Sequence, residues 1–252
     1  MISVCIATYN GSKYIKEQID SILPQLDECD EIIVSDDSST DNTLSILKSY
    51  HDRRIIIFTN QKFNSPIYNF ENALKHAKGD IIFLSDQDDI WEFNKVQVMI
   101  SFLQKKSLVV SDCYIINQDK NVICDSLFNG KVPNAGVFIN ILRNHYIGCC
   151  MAFRREILNA ALPFPSSLAM HDIWLGLCAS AFYSAVFIPN RLIKYRRHNT
   201  NASPTLENST LPLLYRVQYR WTLIIALVRR ALKISKHLIV FYYIIEKLWT
   251  FY

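Results

Sequence analysis

The chain has 252 residues, of which half are hydrophobic and 20% charged. That suits one large domain, or one domain with an appendage, and excludes a disordered chain. The formal net charge of +4 hides an asymmetry: residues 211–252 hold seven Lys and Arg against one acid, Glu246, while the first 210 residues hold 20 basic and 22 acidic groups.

The first half alternates strand and helix. "ISVCIAT" (2–8) is a nearly all-apolar run, as in a strand buried on both faces. "KYIKEQIDSIL" (13–23) sets Ile15, Ile19, Ile22 and Leu23 at helical spacing. "EIIVS" (31–35) predicts a second strand, and "DNTLSILKSY" (41–50) a helix with Asp41 as N-cap. "RIIIFTN" (54–60) is a third strand, and "IYNFENALKHAK" (67–78) a helix that Gly79 is expected to end. "DIIFLS" (80–85) predicts a fourth strand and "EFNKVQVMISFLQKK" (92–106) a long helix. After residue 107 the alternation loosens. "LVVSDCYIIN", "NVICDSLF", "YIGCCMAFR" (146–154), "AVFIP" (185–189) and "LIKYRRH" (192–198) read as strands, "AGVFINILRN" (135–144) and "MHDIWLGLCASAF" (170–182) as helices. "NTNASPTLENSTLP" (199–212) reads as a polar linker.

Strand–helix alternation implies parallel strands with helices on both faces, and such sheets bind ligands at the carboxyl ends of their strands. Strand one delivers Thr8, Tyr9 and Asn10 there, strand two "SDDSST" with Asp36 and Asp37, and strand four "SDQDD" with Asp86, Asp88 and Asp89. Like charges about 4 Å apart repel by roughly 4 kcal/mol at an effective dielectric near 20. Either water screens this rim, or a hard divalent cation such as Mg²⁺ or Mn²⁺ relieves it together with substrate phosphates. There is no G-x-G-x-x-G after strand one, no P-loop, no G-x-S-x-G and no H-E-x-x-H.

In order, "SVCIATYNGSKYIKEQIDSIL", "EIIVSDDSSTDNT", "AKGDIIFLSDQDDIW" and "MHDIWLGLCASAF" with "YRRHNTN" resemble the motifs of family 2 glycosyltransferases, the last two those of rhamnosyltransferase-like bacterial members. The resemblance covers about residues 1–200. It implies the α/β GT-A fold, a mostly parallel central sheet with flanking helices, with residues 201–252 as linker and C-terminal helical appendage. It also implies roles. Tyr9 and Asp37 would contact the nucleotide base and ribose. Asp86 and Asp88 would form the D-x-D pair, with His198 near the metal and diphosphate. Asp89 would cap the next helix, support the site or share the metal. Asp172 would be the catalytic base; on the residues alone it is equally a first-turn helix acid. His171 stands before it, where most members have Glu or another residue. One of Arg196 and Arg197 would face the donor phosphates, since strand alternation lets only one do so. His145 and His171 read as structural, and Trp91, Trp174 and Tyr195 as packing residues.

The implied activity is inverting transfer of a sugar from a nucleoside-diphosphate donor, dTDP-rhamnose or a UDP-sugar, to a glycan or lipid-linked glycan in surface polysaccharide synthesis. The alternatives are a nucleotide-sugar pyrophosphorylase and a non-catalytic glycan-assembly scaffold. A pyrophosphorylase would need a Gly-rich basic loop where this chain has "TYNGSKY"; a scaffold would be expected to lose Asp37, Asp86, Asp88 and Asp172, all kept here.

Seven Cys, an odd number without C-x-x-C, point to a reducing cytosol and away from disulfides or a zinc site. The chain opens on a strand, so no signal peptide is expected, and no apolar run reaches the roughly 18–20 residues of a spanning helix. "WTLIIALV" (221–228) and "LIVFYYII" (238–245) flank Arg229, Arg230, Lys233, Lys236 and His237. Basic and apolar together suggest peripheral contact with the inner face of the cell membrane, not nucleic acid; two amphipathic helices packed on the domain are the alternative.

Overall fold

The computed structural model describes residues 1–166, 168–198 and 213–249, with side chains described for 1–166, 168–198 and 216–235. Its parallel half follows the apolar runs: β1 (Ile2–Thr8), α1 (Ile15–Ile22), β2 (Glu31–Asp36), α2 (Thr43–Ser49), β3 (Ile55–Phe58), α3 (Pro66–His76) and β4 (Ile81–Ser85). Then come β5 (Ile90–Trp91), α4 (Lys95–Leu103), β6 (Leu108–Ile116), β7 (Val122–Cys124), α5 (Val137–Leu142), β8 (Met151–Arg154), α6 (Glu156–Ala161), α7 (His171–Phe182), β9 (Ala185–Arg196) and α8 (Leu213–Trp249). One sheet runs β3-β2-β1-β4-β8-β6-β9-β5, with β7 paired to β6.

Strands β3, β2, β1 and β4 are parallel. Thr8 lies opposite Asp36 and Ile6 opposite Ser85, so the loops after β1, β2 and β4 leave at one rim. The β1 and β2 interiors, Val4, Cys5, Ile6, Ile32, Ile33 and Val34, are fully buried, as expected of strands covered on both faces. Strand β8 runs antiparallel to β4, so its start, just after Cys149 and Cys150, lies at that same rim. β9 runs parallel to β6 and carries Arg196, Arg197 and His198 there.

Local chemistry explains several departures from the sequence reading. The two expected strands at 185–189 and 192–198 are one strand. Ser111 pairs with Ile188 and Asp112 with Arg191, so Pro189 and Asn190 are accommodated in a bulge, where a proline's missing donor is tolerated. The long helix expected from Glu92 starts only at Lys95, because Trp91 pairs with Ile193 and the Glu92 N–H donates to Leu192 O. α6, unsignalled by periodicity, is short. Asp41 acts one position before the N-cap residue Asn42: its Oδ1 accepts the Thr43 N–H at 2.9 Å.

Gly79 does not end a helix; α3 stops at Ala77, in extended backbone. The glycine is required by close approach. A Cβ there would lie 2.6 Å from Ser3 N and 2.7 Å from Ile2 C.

The C-terminal segment is one 37-residue helix, not two. No Gly or Pro interrupts residues 213–249, and the basic stretch between the apolar runs consists of competent helix formers. α8 packs through Leu223 and Leu227, which join the core. Arg230 donates to Leu162 O and Pro163 O, with its guanidinium over the Trp174 ring. Among the described residues no helix is long and apolar enough to cross a membrane. The linker at 199–212, and with it the boundary at residue 200, lies outside the described residues.

Backbone cannot move aside as a side chain can. Gly79→Ala is therefore expected to cost about 1–3 kcal/mol, read as a lower urea midpoint with unchanged slope. An unchanged midpoint would show that β1 and the 77–80 turn adapt.

Candidate active site

The loop after β4 is built by groups far away in sequence. The Gln87 side-chain amide brackets the backbone of Tyr9: Oε1 accepts the Tyr9 N–H at 3.0 Å and Nε2 donates to Tyr9 O at 3.1 Å. A Cβ on Gly11 would overlap Gln87 Oε1, so the glycine makes room for this clamp. Asp88 Oδ2 lies 2.7 Å from His198 Nε2. Asp89 is fully buried. Its Oδ1 accepts the Arg196 N–H at 2.9 Å, and its Oδ2 has no hydrogen-bond partner among the described residues.

Arg196, expected at a phosphate, is instead turned inward and only 1% exposed. Its Nε donates to Asp88 O at 2.7 Å, Nη1 to Gln118 O at 3.1 Å and Nη2 to Glu17 Oε2 at 2.5 Å. The guanidinium lies 4.7 Å from the Tyr14 ring centroid, and the same ring stacks on His198 at 5.2 Å. Being always charged and planar, it is suited to organise an acidic loop from behind. Asp89 is likewise no helix cap: α4 starts six residues later, at Lys95.

Tyr9 and Asn10 stand exposed at the rim. Asn10 (φ +49°) and Ser38 (φ +63°) take the left-handed conformation that ends each strand abruptly. Asn10 Oδ1 accepts the Thr40 N–H at 2.8 Å, tying the first two loops together. Asp36 is buried and accepts from the Thr8 and Ser39 hydroxyls. Asp37, at the rim, accepts the Phe63 N–H at 2.7 Å and the Ser65 N–H at 3.3 Å, so one of its tasks is to hold the 61–65 loop.

Asp172 arrives from the first turn of α7 and is 8% exposed. Its Oδ1 accepts the Ile173 N–H at 2.6 Å, as a helix-start acid would. A helix terminus alone would favour the carboxylate. Here burial outweighs it and pushes the Asp172 pKa up to about 6. Burial, then the charges of Asp88 and Asp172, push Asp86 up to about 7. Asp86, Asp88 and Asp172 thus form one electrostatic group. His171 is buried against Phe70, ring centroids 4.1 Å apart, and burial pushes it down to about 3, so it is neutral. Trp91, Trp174 and Tyr195 are buried packing residues, and His145 is half-buried beside Asn140.

Several participants gave no sequence signal. Lys95 is fully buried; its Nζ donates to Cys149 O at 2.6 Å and lies 4.3 Å from the Trp91 ring centroid. Glu17 bridges Arg196 and Lys120. Ligand-capable atoms of Asp86, Asp89 and Cys149 lie within 4.8 Å of one another. The carboxylates, His198 and the unpartnered buried Asp89 Oδ2 fit a divalent cation, with the oxygen-rich donors that Mg²⁺ or Mn²⁺ prefers.

An acidic rim at the carboxyl ends of β1, β2 and β4, completed by His198 just after β9, on this sheet defines the glycosyltransferase class with the GT-A fold. The profile for glycosyl transferase family 2 matches residues 3–162, and the chain belongs to that family. It is 39% identical over 218 residues to the dTDP-rhamnosyl transferase RfbG of Shigella flexneri, covering 78% of this chain and 72% of that protein. It is 30% identical over 209 residues to Escherichia coli WfgD, a UDP-Glc:alpha-D-GlcNAc-diphosphoundecaprenol beta-1,3-glucosyltransferase, covering 81% and 79%. Among solved structures it resembles Staphylococcus aureus TarS 1–349 in complex with UDP-GlcNAc (TM-score 0.66, 19% identity, 88% of this chain and 71% of that one). It also resembles the Pyrobaculum calidifontis mannosyltransferase PcManGT in complex with GDP-Man and Mn²⁺ (TM-score 0.59, 19% identity, 93% and 74%).

The raised Asp172 pKa has a stability consequence. The native state holds this proton more tightly than the unfolded chain, so the contribution is full below about pH 4 and lost as pH rises through about 6. Asp172→Asn cannot ionise. Relative to the parent in EDTA, it is expected to be more stable at pH 7.5 than at pH 4.5 by about 1–3 kcal/mol. Urea melts giving the same difference at both pH values would rule this out.

Proposed function

We infer that the protein transfers a sugar from a nucleoside-diphosphate donor to a hydroxyl of a glycan acceptor with inversion at the anomeric carbon. The observation that carries this reading is a separate, buried carboxylate, Asp172, poised beside the Asp86–Asp88 cluster with a pKa of about 6. Membership in family 2 sets the pyrophosphorylase alternative aside.

Tyr9 and Asp37 form the nucleotide end of the site. Asp86, Asp88 and His198 hold a divalent cation, Mg²⁺ or Mn²⁺, with Asp89 behind them. Bound there, the ion would stabilise charge on the departing diphosphate. Arg197 takes the phosphate-facing role, since alternation along the chain sends it opposite to the inward Arg196. Asp172 accepts the proton of the acceptor hydroxyl as that oxygen attacks the anomeric carbon from the face opposite the leaving group. One attack on one face inverts the centre, and no carboxylate nucleophile is required. A base with a pKa near 6 is largely ionised at neutral pH yet basic enough to take a proton.

The donor is dTDP-rhamnose by similarity to RfbG, with a UDP-sugar as the alternative by similarity to WfgD. The name of WfgD supports a lipid-linked acceptor in polysaccharide synthesis. Such an acceptor fits a cytoplasmic enzyme held peripherally at the inner face of the membrane through 211–252. Residues 1–200 are the transferase domain in this reading.

Release of nucleoside diphosphate from dTDP-rhamnose and from UDP-sugars, with an acceptor glycan, tests the activity; no release from any donor would favour a scaffold. Asp172→Asn is expected to slow transfer by about 10²-fold or more with donor affinity nearly unchanged. Near-parental turnover would reduce Asp172 to a helix-start residue. Asp88→Ala is expected to abolish metal-dependent donor binding in calorimetry while the melting temperature holds. Parental binding of donor with Mn²⁺ would refute the metal assignment.

A further inference from the structure

Helix α8 has two apolar sides. Leu223 and Leu227 point into the core. At 100° per residue, Val217, Trp221, Val228 and Leu232 fall together on another side, about 130° around the helix. They are exposed, Trp221 by 59% and Leu232 by 60%. Next to them, α5 turns two more large apolar groups outward, Phe138 at 81% and Leu142 at 65% exposure. The two helices are tied: Arg220 Nη2 donates to Leu142 O at 2.6 Å. Isolated exposed apolar residues are ordinary, but a contiguous set on adjoining helices marks a surface that meets something.

Charge decides what it meets. Residues 126–155 and 208–245 contain no Asp or Glu, although the chain has 23. Lys131 and Arg143 are exposed around α5, and Arg229 and Lys233 flank the α8 stripe. A second copy of the chain docked on this face would set cations against cations, with no acid on either segment to oppose them. An anionic lipid surface supplies the missing charge, accepts the apolar side chains and suits Trp at headgroup level.

We propose that α5 and α8 together form a platform that docks on an anionic lipid bilayer, with Phe138, Leu142, Trp221 and Leu232 entering the headgroup region and Lys131, Arg143, Arg229 and Lys233 ringing them. This deepens the peripheral attachment inferred above: it names the surface and adds a half, α5, that lies outside 211–252. The platform is also joined to the chemistry. Six residues after Leu142 the chain reaches Gly148, which packs against the Asp172 side chain, and then Cys149 beside Asp86 and Asp89. Docking therefore sets the base close to the surface where a lipid-linked acceptor presents its sugar.

The test is co-sedimentation of the full chain with phosphatidylglycerol-containing and with pure phosphatidylcholine vesicles. Preference for the anionic vesicles by about tenfold or more, lost in high salt, is expected. Phe138→Glu with Leu142→Glu, Trp221→Glu with Leu232→Glu, and Arg229→Glu with Lys233→Glu should each lower partitioning about tenfold or more. Donor binding in solution should stay parental in all three, which also reports that the fold survives. Failure of the full chain to bind overturns both the platform and the peripheral reading. Binding that survives the α5 pair overturns the platform alone. Light scattering that shows a dimer split by the Trp221 pair, without vesicle binding, assigns the face to a second copy and overturns the proposal. Loss of donor-dependent turnover would bear on the transferase reading and leave the vesicle result standing.

Discussion

Asp86, Asp88, Asp89 and Asp172 crowd one rim, and the site depends on what holds their loop in place. Arg196 braces that loop from behind. Its backbone N–H binds Asp89, its Nε binds the Asp88 carbonyl, and Nη2 pairs with Glu17 on α1. Lys95 is the second buried cation, its pKa lowered by burial, seated on the Cys149 carbonyl and the Trp91 ring. Asp89 sits fully buried, its carboxyl pushed well above the usual carboxylate range by burial and by the charges of Asp88 and Asp86, while Asp86 and Asp88 stay partly exposed. The acidic loop is thus clamped on its protein side and open on the other.

Sheet register converts that local clamp into a site. Parallel pairing of β1, β2 and β4 sends Tyr9, Asp37 and Asp86 to one edge. Antiparallel entry of β8 brings Cys149 to the same edge from the opposite direction, and His198 follows two residues after β9 ends there. The Gln87 amide, closing on the Tyr9 backbone beside Gly11, locks the loop after β1 to the loop after β4. Displacement of one loop would therefore be felt by the other.

Asp172 shows how one residue serves two purposes. It bonds the first turn of α7, and it is also buried next to two other carboxylates. The capping bond fixes its orientation; burial raises its pKa. A surface helix-start acid would have the first property without the second.

The sequence by itself determined the parallel half of the sheet, since uninterrupted apolar runs of strand length separated by helical periodicity leave few other arrangements. It also determined which carboxylates lie at strand ends, because a strand's last residue and the loop after it are fixed by where the apolar run stops. Asp37, Asp86 and Asp88 were legible as candidates in this way; Asp172 and His198 were legible only through the resemblance of their motifs. The tertiary structure decided the rest. Whether Arg196 or Arg197 faces inward depends on the twist and bulge of β9 against β6, which no alternation pattern specifies. Gly79 reads as a helix stop in one dimension and is a backbone contact with Ser3 in three. Gln87, Glu17 and Lys95 carry no motif, because their partners lie up to 179 residues away, and burial, charge balance and hydrogen bonding between such groups exist only once the chain has closed on itself.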